Sequence, residues 1–385
     1  MNLELIDIFD EPSRVENIWK SLATEGARSY FLSWGWIENW LASLPRQVPI
    51  KLAVLKEGDE PVCAFFLGRA KVANQKVFRS RALLLNQTGC WAYDRLYIEG
   101  NSVVCKGTPA CSLQQIVDAL PGDWEEFYLS ALDPSSFPGN ALSSLTGRNE
   151  LMIARVLPCP YVDLQLVRDK GGNYPAVLRS NIRAQIRRTV RIYETQAPIV
   201  TEMAHDVASA MDIYRELIDL HQASWTTRKK DGAFATEYFR EFHRKLIEKR
   251  IHSGEIQLLR VRCAGKTIGC LYNFVFRGTV YFYQSGLAYS DDNRVKPGYV
   301  CHAEAIRLSA ETGADAYDFM AGSDEYKQRL ATHQRSMIWA RVQKPKLKFR
   351  IERLARRAAI DGLALYRKWK SGKRTGVTVP AGNEA

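Results

Sequence analysis

Residues 279–301 read TVYFYQSGLAYSDDNRVKPGYVC. Val280, Tyr281, Phe282 and Tyr283 are the β-branched and aromatic types that favour a strand, so 279–287 is expected to be one. A polar loop follows, carrying Arg294, Lys296, Pro297 and Gly298, and a helix is expected over about 299–313. A basic, glycine-bearing loop before a helix is a physical anion site, because unbonded N–H groups and the helix dipole both point at it. The same Pro-Gly pair is also an ordinary helix-start signal. Downstream, AYDFM predicts a strand over 316–320. Ala321-Gly322 then allow a sharp turn, and Ser323 to Lys327 open a short helix with its acids first, as the dipole prefers.

Working outward, strands are expected at 256–263 and 267–276, with hairpin turns at Ala264-Gly265 and Arg277-Gly278. Two helices, 207–228 and 236–252, precede them, after a short strand at 198–203. A last strand covers 335–343. The first half reads in the same order. A strand at 3–9 leads into helices at 12–24 and 33–43, the second with Ser33 as N-cap. A hairpin follows over 50–57 and 61–71, then strands near 82–86, 94–99, 125–132 and 151–166, with a helix near 111–120. The repeated order predicts an α/β (α+β) chain of two tandem halves, each with a mixed, largely antiparallel sheet. Between them lies a basic connector, 171–197, in which Leu178, Ile182, Ile186 and Val190 recur every four residues. Arg179, Arg183, Arg187 and Arg191 follow one position later, which predicts one long amphipathic helix over 174–196. The expected division is 1–170, the connector 171–197, 198–343, and a basic helical tail, 344–385.

The bulk numbers fit this plan. A length of 385 residues suits two domains, and 46% hydrophobic residues supply two cores. A net charge of +12 favours anionic partners without choosing among nucleic acid, phosphorylated cofactors and anionic lipid. The eight cysteines form no CxxC and no Cys/His set with zinc spacing, so no metal is expected, and their scatter suits a reduced, cytoplasmic interior. The first residues lack a basic, then apolar, leader pattern. No run approaches the ~18 apolar residues of a membrane span.

Outside the opening stretch, His221 and Trp225 share a helix face, the His suited to proton transfer or simply to packing with the Trp. Asp318 sits in an apolar strand, where a carboxylate needs a partner or a cleft to face. The arginine row reads either as a polyanion face or as a solvated one.

Tyr281 to Gly286, Lys296-Pro297-Gly298, Tyr317 to Gly322 and Glu325-Tyr326-Lys327 together resemble the CelD/BcsL-like acetyltransferases of the GNAT superfamily, associated with cellulose and other exopolysaccharide synthesis. Phe31 to Trp40, the helix Leu178 to Tyr193, and His221 to Trp225 with Gly232 and Phe234 are similar to further family segments, so the resemblance spans about residues 1–343. It implies a tandem GNAT-like fold, shared with the Fem-type aminoacyl transferases, and acyl transfer from acetyl-CoA or another acyl-CoA to an amine or hydroxyl of a sugar or glycolipid precursor. In GNAT enzymes a strand and the next helix splay apart and backbone N–H groups polarise the thioester carbonyl. The corresponding elements here are 280–287 and 294–300. The loop departs from the usual pattern in having one glycine and a proline, a departure also compatible with Fem-type use of aminoacyl-tRNA.

Direct attack needs a base and a donor for the leaving thiolate. The candidate base is Asp318, with His221 and Glu325 as rivals; Tyr283, Tyr299 and Tyr326 are candidate proton donors. Gly286, Arg294, Lys296, Gly298, Tyr299 and Lys327 are the expected cofactor contacts. A non-catalytic scaffold of a polysaccharide synthase is the remaining class, and the basic tail, about 346–370, is a candidate contact with the inner face of an anionic membrane.

Overall fold

The structure, a computed structural model, describes residues 1–74, 78–107, 111–135, 145 and 149–354. The first half runs β1 (Asn2–Asp7), α1 (Pro12–Gly26), α2 (Trp34–Ser43), β2 (Ile50–Glu57), β3 (Glu60–Asn74), β4 (Phe78–Leu85), α3 (Trp91–Asp94), β5 (Val104–Cys105), α4 (Leu113–Ala119) and β6 (Glu126–Leu132). Then come β7 (Glu150–Asp163), α5 (Leu164–Arg168) and α6 (Ser180–Glu194). The second half runs β8 (Ile199–Met203), α7 (Val207–Thr227), α8 (Glu237–Arg250), β9 (Ile256–Cys263), β10 (Lys266–Phe276), β11 (Thr279–Leu287), α9 (Pro297–Glu311), β12 (Ala316–Asp318), α10 (Glu325–Leu330) and β13 (His333–Gln343).

All strands but β5 lie in one path, ordered β1-β2-β3-β4-β6-β13-β7-β12-β11-β10-β9-β8. The path has an internal symmetry. The run 1-2-3-4-6 matches 8-9-10-11-12, antiparallel except for the parallel pairs β4–β6 and β11–β12. Each run is then completed by a strand from the other half: β13 pairs with β6, and β7 pairs with β12. The two exchanged strands pair with each other from His333↔Tyr161 to Gln343↔Glu150 and weld the halves into one sheet. The fold is thus mixed α/β, as the pattern predicts.

The halves also share a core. Ser33 caps α2 by accepting the Trp36 N–H at 3.3 Å, the expected N-cap role. That cap sets Tyr30, Phe31 and Trp36 against Phe242, Phe274 and Tyr283 of the second half. Asn39, buried in this contact, donates to the Phe242 carbonyl at 2.9 Å and leaves no bare amide there.

Three expectations change. Residues 94–99 form no strand: Asp94 accepts the N–H groups of Thr88 and Gly89, and Tyr97 takes a φ of +48°, so the chain turns. The helix expected over 174–196 begins only at Ser180; Tyr174–Val177 form a 3₁₀ turn that anchors buried Tyr174. The strand expected over 316–320 stops at Asp318. The tail starts as a helix over 347–354, docked with Phe349 1% exposed and Glu352 paired with Arg341; residues 355–385 lie outside the described residues.

Candidate active site

The site grows from one irregularity. In the β10–β11 ladder Tyr272 pairs with Gln284, but Asn273 pairs with Phe282, so Tyr283 is an extra residue, a β-bulge. A bulge bends and twists its strand and re-aims the side chains around it. β11 pairs with β12 only over Thr279–Tyr281. Beyond it, the chain after β12 crosses to β7: Phe319 N–H donates to the Pro160 carbonyl at 3.0 Å and Gly322 N–H to that of Pro158 at 2.9 Å. Met320 makes this turn with a φ of +60°, uncommon for a residue with a Cβ. β11 and β12 therefore splay, and a cleft of about 620 Å³ opens along β11 from Phe282.

Seven of the expected site residues line it: His221, Tyr283, Lys296, Gly298, Tyr299, Tyr326 and Lys327. His221, 5% exposed, reaches it from α7, with Nδ1 3.2 Å from Gln222 Oε1 and its ring against Trp225 and Phe234. Burial, with Arg228 nearby, holds its pKa below the usual histidine value, so it stays neutral near pH 7. Gly232 crosses so close that a Cβ there would lie 2.7 Å from His221 Cε1. Burial raises the Tyr326 phenol, keeping its proton, and the ring stacks at 5.9 Å on buried His302. His302 meets the Tyr317 hydroxyl at 3.1 Å, and burial pushes its pKa down to about 3. Tyr283 contributes its ring, while its hydroxyl donates to the Leu96 carbonyl at 2.6 Å and meets His243 Nε2 at 3.1 Å.

α9 opens at one rim. No side chain caps it, Pro297 occupies its first turn and Lys296 precedes it. Lys327 reaches the Met320 and Ala321 carbonyls at 3.4 Å each. With Arg228, these lysines outnumber Asp324 around the cleft and make it attractive to anions.

The other candidates stand elsewhere. Arg294 is exposed and bound to Asp292 at 2.8 Å. Glu325 faces a different groove, beside α6, and pairs with Arg329. Gly286 is where α7 crosses β11: a Cβ would collide with the Leu217 carbonyl. Asp318, 1% exposed, does not line the cleft. Its Oδ1 accepts the Met320 N–H at 2.7 Å and the Cys159 thiol at 3.3 Å, and its Oδ2 pairs with Arg335. It thus holds the left-handed turn that splays the strands. Beside it Glu99, from the first half, accepts the Ala321 N–H at 2.7 Å, and burial raises its pKa to about 7. Glu99 and the cleft residue His302 are among those sequence reasoning missed, whereas Arg228 belongs to the basic loop 228–234 read as able to cover a substrate; nothing local marks Glu99, whose partner is 222 residues away.

Among the described residues the first half shows only a hollow of about 20 Å³ at the corresponding strand end. Its β3–β4 ladder runs unbroken from Leu67↔Leu85 to Asn74↔Phe78. The end of β4 is stapled by Asn86, which bonds the Phe66 N–H, Asn101 and the Ser102 carbonyl. Also in this half, Cys63, Cys105 and Cys111 bring their sulfurs to 3.0, 3.2 and 3.6 Å of one another. These three buried sulfurs lie close enough together to share one metal ion, a set that their spacing in the sequence does not announce.

Residues 180–328, which contain the whole cleft, match the family model described as an acetyltransferase (GNAT) domain. The second half carries a GNAT-type acyltransferase domain. No curated protein matches the chain. Among solved structures, FemX is 9% identical with a TM-score of 0.54, covering 92% of this chain and 99% of its own. A conserved protein of unknown function from Bacteroides thetaiotaomicron VPI-5482 is 10% identical with a TM-score of 0.52, covering 89% of this chain and all of its own. At such identities the likeness is one of fold, and the fold is that of a GNAT-type domain set in a two-half frame. No helix among the described residues is long and apolar enough to cross a membrane.

Proposed function

We propose that the chain moves an acyl group from an acyl-CoA, acetyl-CoA or a longer one, to an amine or hydroxyl of a sugar or other cell-envelope or exopolysaccharide precursor, as in the CelD/BcsL-like enzymes. The observation that carries this is the bulge at Tyr283 with the splay of β11 from β12, which frees the β11 backbone from Phe282 onward beside an uncapped α9. Freed N–H groups there suit the pantetheine and the thioester carbonyl, whose developing oxyanion they would stabilise. The α9 start with Lys296, and Lys327, suit the phosphates. Neutral His221 takes the acceptor's proton, and protonated Tyr326 returns one to the leaving thiolate. Asp318 is assigned to shaping the cleft rather than to the proton transfer. The working division is residues 1–170 and 198–343 joined by the connector 171–197, with β7 and β13 exchanged.

A second reading, an aminoacyl-tRNA donor as in Fem-type enzymes, is favoured by Pro297, which removes one N–H from the α9 anion site. A thermal-shift series with acetyl-CoA, longer acyl-CoAs, free CoA and charged tRNA separates the two, since a ligand of the native state raises its midpoint. A rise with acyl-CoA supports the first reading; a rise with tRNA alone overturns it. A place at the inner face of the membrane would suit such an acceptor, with the basic tail 344–385 as one contact.

A further inference from the structure

α6 puts its charge where no acid among the described residues answers it. Ile182, Ile186 and Thr189 are buried against the body, and the Thr189 hydroxyl donates to the Arg294 carbonyl at 3.2 Å. Opposite them, at 100° per residue, Arg183, Arg187, Arg188 and Arg191 fill an arc of about 140°. Arg187, Arg188 and Arg191 are exposed, and Arg183 is half-buried with one bond to the Leu178 carbonyl. Successive arginines on the row stand about 6 Å apart along the axis. Among the described residues none of the four is in an ion pair. The contrast with nearby helices is sharp: Arg307 on α9 bridges Glu304 and Glu311, Arg329 on α10 pairs with Glu325, and Arg244 on α8 bridges Glu241 and Glu248. Exposed arginines in this protein are commonly matched to acids one turn away. From Arg179 to Tyr193 the sequence has no acid at all.

We infer that this arginine face of α6 docks the protein on an anionic lipid bilayer. Self-repulsion along such a row is relieved by a bound anion, and guanidinium is the side chain best suited to pairing with phosphate. The lining narrows the choice of partner. Besides the arginines, the described residues of this face are Ser180, Ala184, Ile192 and Thr195, so among them there is no aromatic side chain for a base to stack on. A layer of anionic headgroups needs none. The chain also leaves α6 directly into β8, the edge strand, where Val200 and Met203 are 60% and 45% exposed. None of the four arginines lines the cleft, so docking and acyl transfer are separable.

The experiment is flotation of the full chain with vesicles of phosphatidylcholine containing about 40% phosphatidylglycerol, and with pure phosphatidylcholine, at low and physiological salt. The variant is R187E/R188E/R191E; the control, K51E/K106E/K266E, makes the same change in net charge at exposed sites elsewhere. Circular dichroism and melting confirm that both fold. The wild type is expected to float with the anionic vesicles only, more weakly as salt rises. The α6 variant should lose roughly a hundredfold in partitioning, about fivefold for each arginine, and the control should lose far less. Failure of the wild type to float, or equal losses in the two variants, overturns the inference. So does binding to a tRNA or an RNA duplex that depends on these arginines while vesicle binding does not.

Discussion

Replacing Asp318 separates the two roles open to it. In the structure its carboxylate holds three groups: the Met320 N–H at 2.7 Å, the Cys159 thiol at 3.3 Å and the Arg335 guanidinium. Asp318→Ala removes one partner of a buried ion pair, a change of about 3–5 kcal/mol when the remaining charge is fully enclosed. The Arg335 side chain keeps 37% exposure, so water recovers part, leaving about 2–3 kcal/mol. The lost Met320 bond, which pins a strained left-handed residue, adds about 1 kcal/mol. Asp318→Ala should therefore destabilise by about 3–4 kcal/mol, more than a hundredfold in the folding equilibrium. Asp318→Asn keeps an oxygen for Met320 but loses the charge, and should fall between, at about 1–2 kcal/mol. Urea unfolding measures both, read as a shift in midpoint at unchanged slope. Once an acceptor is found, folded Asp318→Asn should keep turnover within about tenfold, because general-base loss is the larger effect, 10²–10⁴-fold. An Asn variant of wild-type stability whose turnover falls more than a hundredfold would refute this reasoning and return Asp318 to the base role.

Three further outcomes are expected. Lys296→Glu should weaken acyl-CoA binding by about tenfold or more in calorimetry, one charge-assisted contact's worth, whereas Arg294→Glu should change it little, since Arg294 is already bound to Asp292 outside the cleft. Gly232→Ala should push His221 aside, because the added methyl comes 2.7 Å from Cε1; turnover should fall while acyl-CoA affinity holds, and unchanged turnover would count against His221 as the base. Stability should depend on pH in two opposed ways. His243 and His302 are buried neutral, their pKa values pushed down by burial, His302 to about 3. Below pH 6.5 the unfolded chain binds protons that the folded one refuses, so stability falls as pH drops, by about 2–3 kcal/mol per pH unit for two histidines. Glu99 works the other way: burial raises its pKa from 4.5 to about 7, so its contribution is fully present below pH 4.5 and is lost as pH rises to about 7. Glu99→Gln should remove only that second component from the unfolding midpoints measured across pH 4.5–7.5.

How far the sequence foretold this depends on the range of the forces involved. Helices α1, α2, α7, α8 and α9 were legible because their apolar periods and caps are local, as at Ser33. The β9–β10 and β10–β11 hairpins were legible from Ala264-Gly265 and Arg277-Gly278, each a pair of residues with positive φ. The exchange of β7 and β13 was not, since their pairing spans up to 193 residues, Gln343↔Glu150, and either strand would satisfy either sheet by composition. The bulge at Tyr283 was hidden too, because a run of Tyr-Phe-Tyr reads as unbroken strand whichever residue is extra. Several cleft residues, His221, Lys296 and Gly298 among them, were legible from local motifs, but for Asp318 a paired, a cleft-facing and a turn-capping reading stayed open, and its surroundings are the seam between the halves. A buried acid's partner is a tertiary fact: Arg335 lies on the exchanged strand β13.

That seam explains why one half opens and the other does not. The halves share a strand order, so each has a parallel pair at which a cleft can form, β4–β6 and β11–β12. In the first half Asn86 and Asn101 fill the end of β4 with hydrogen bonds, and the β3–β4 ladder runs without a bulge. In the second, Asp318 and Glu99 hold the chain after β12 in a left-handed turn against β7, a strand the first half supplies. The first half also supplies the Leu96 carbonyl that orients Tyr283 at the bulge. The cleft of the second half is therefore built with parts of the first. A chain cut down to residues 180–328 would lose β7, Glu99 and Leu96 together with the strand β13 that carries Arg335, and with them the groups that hold the splay open.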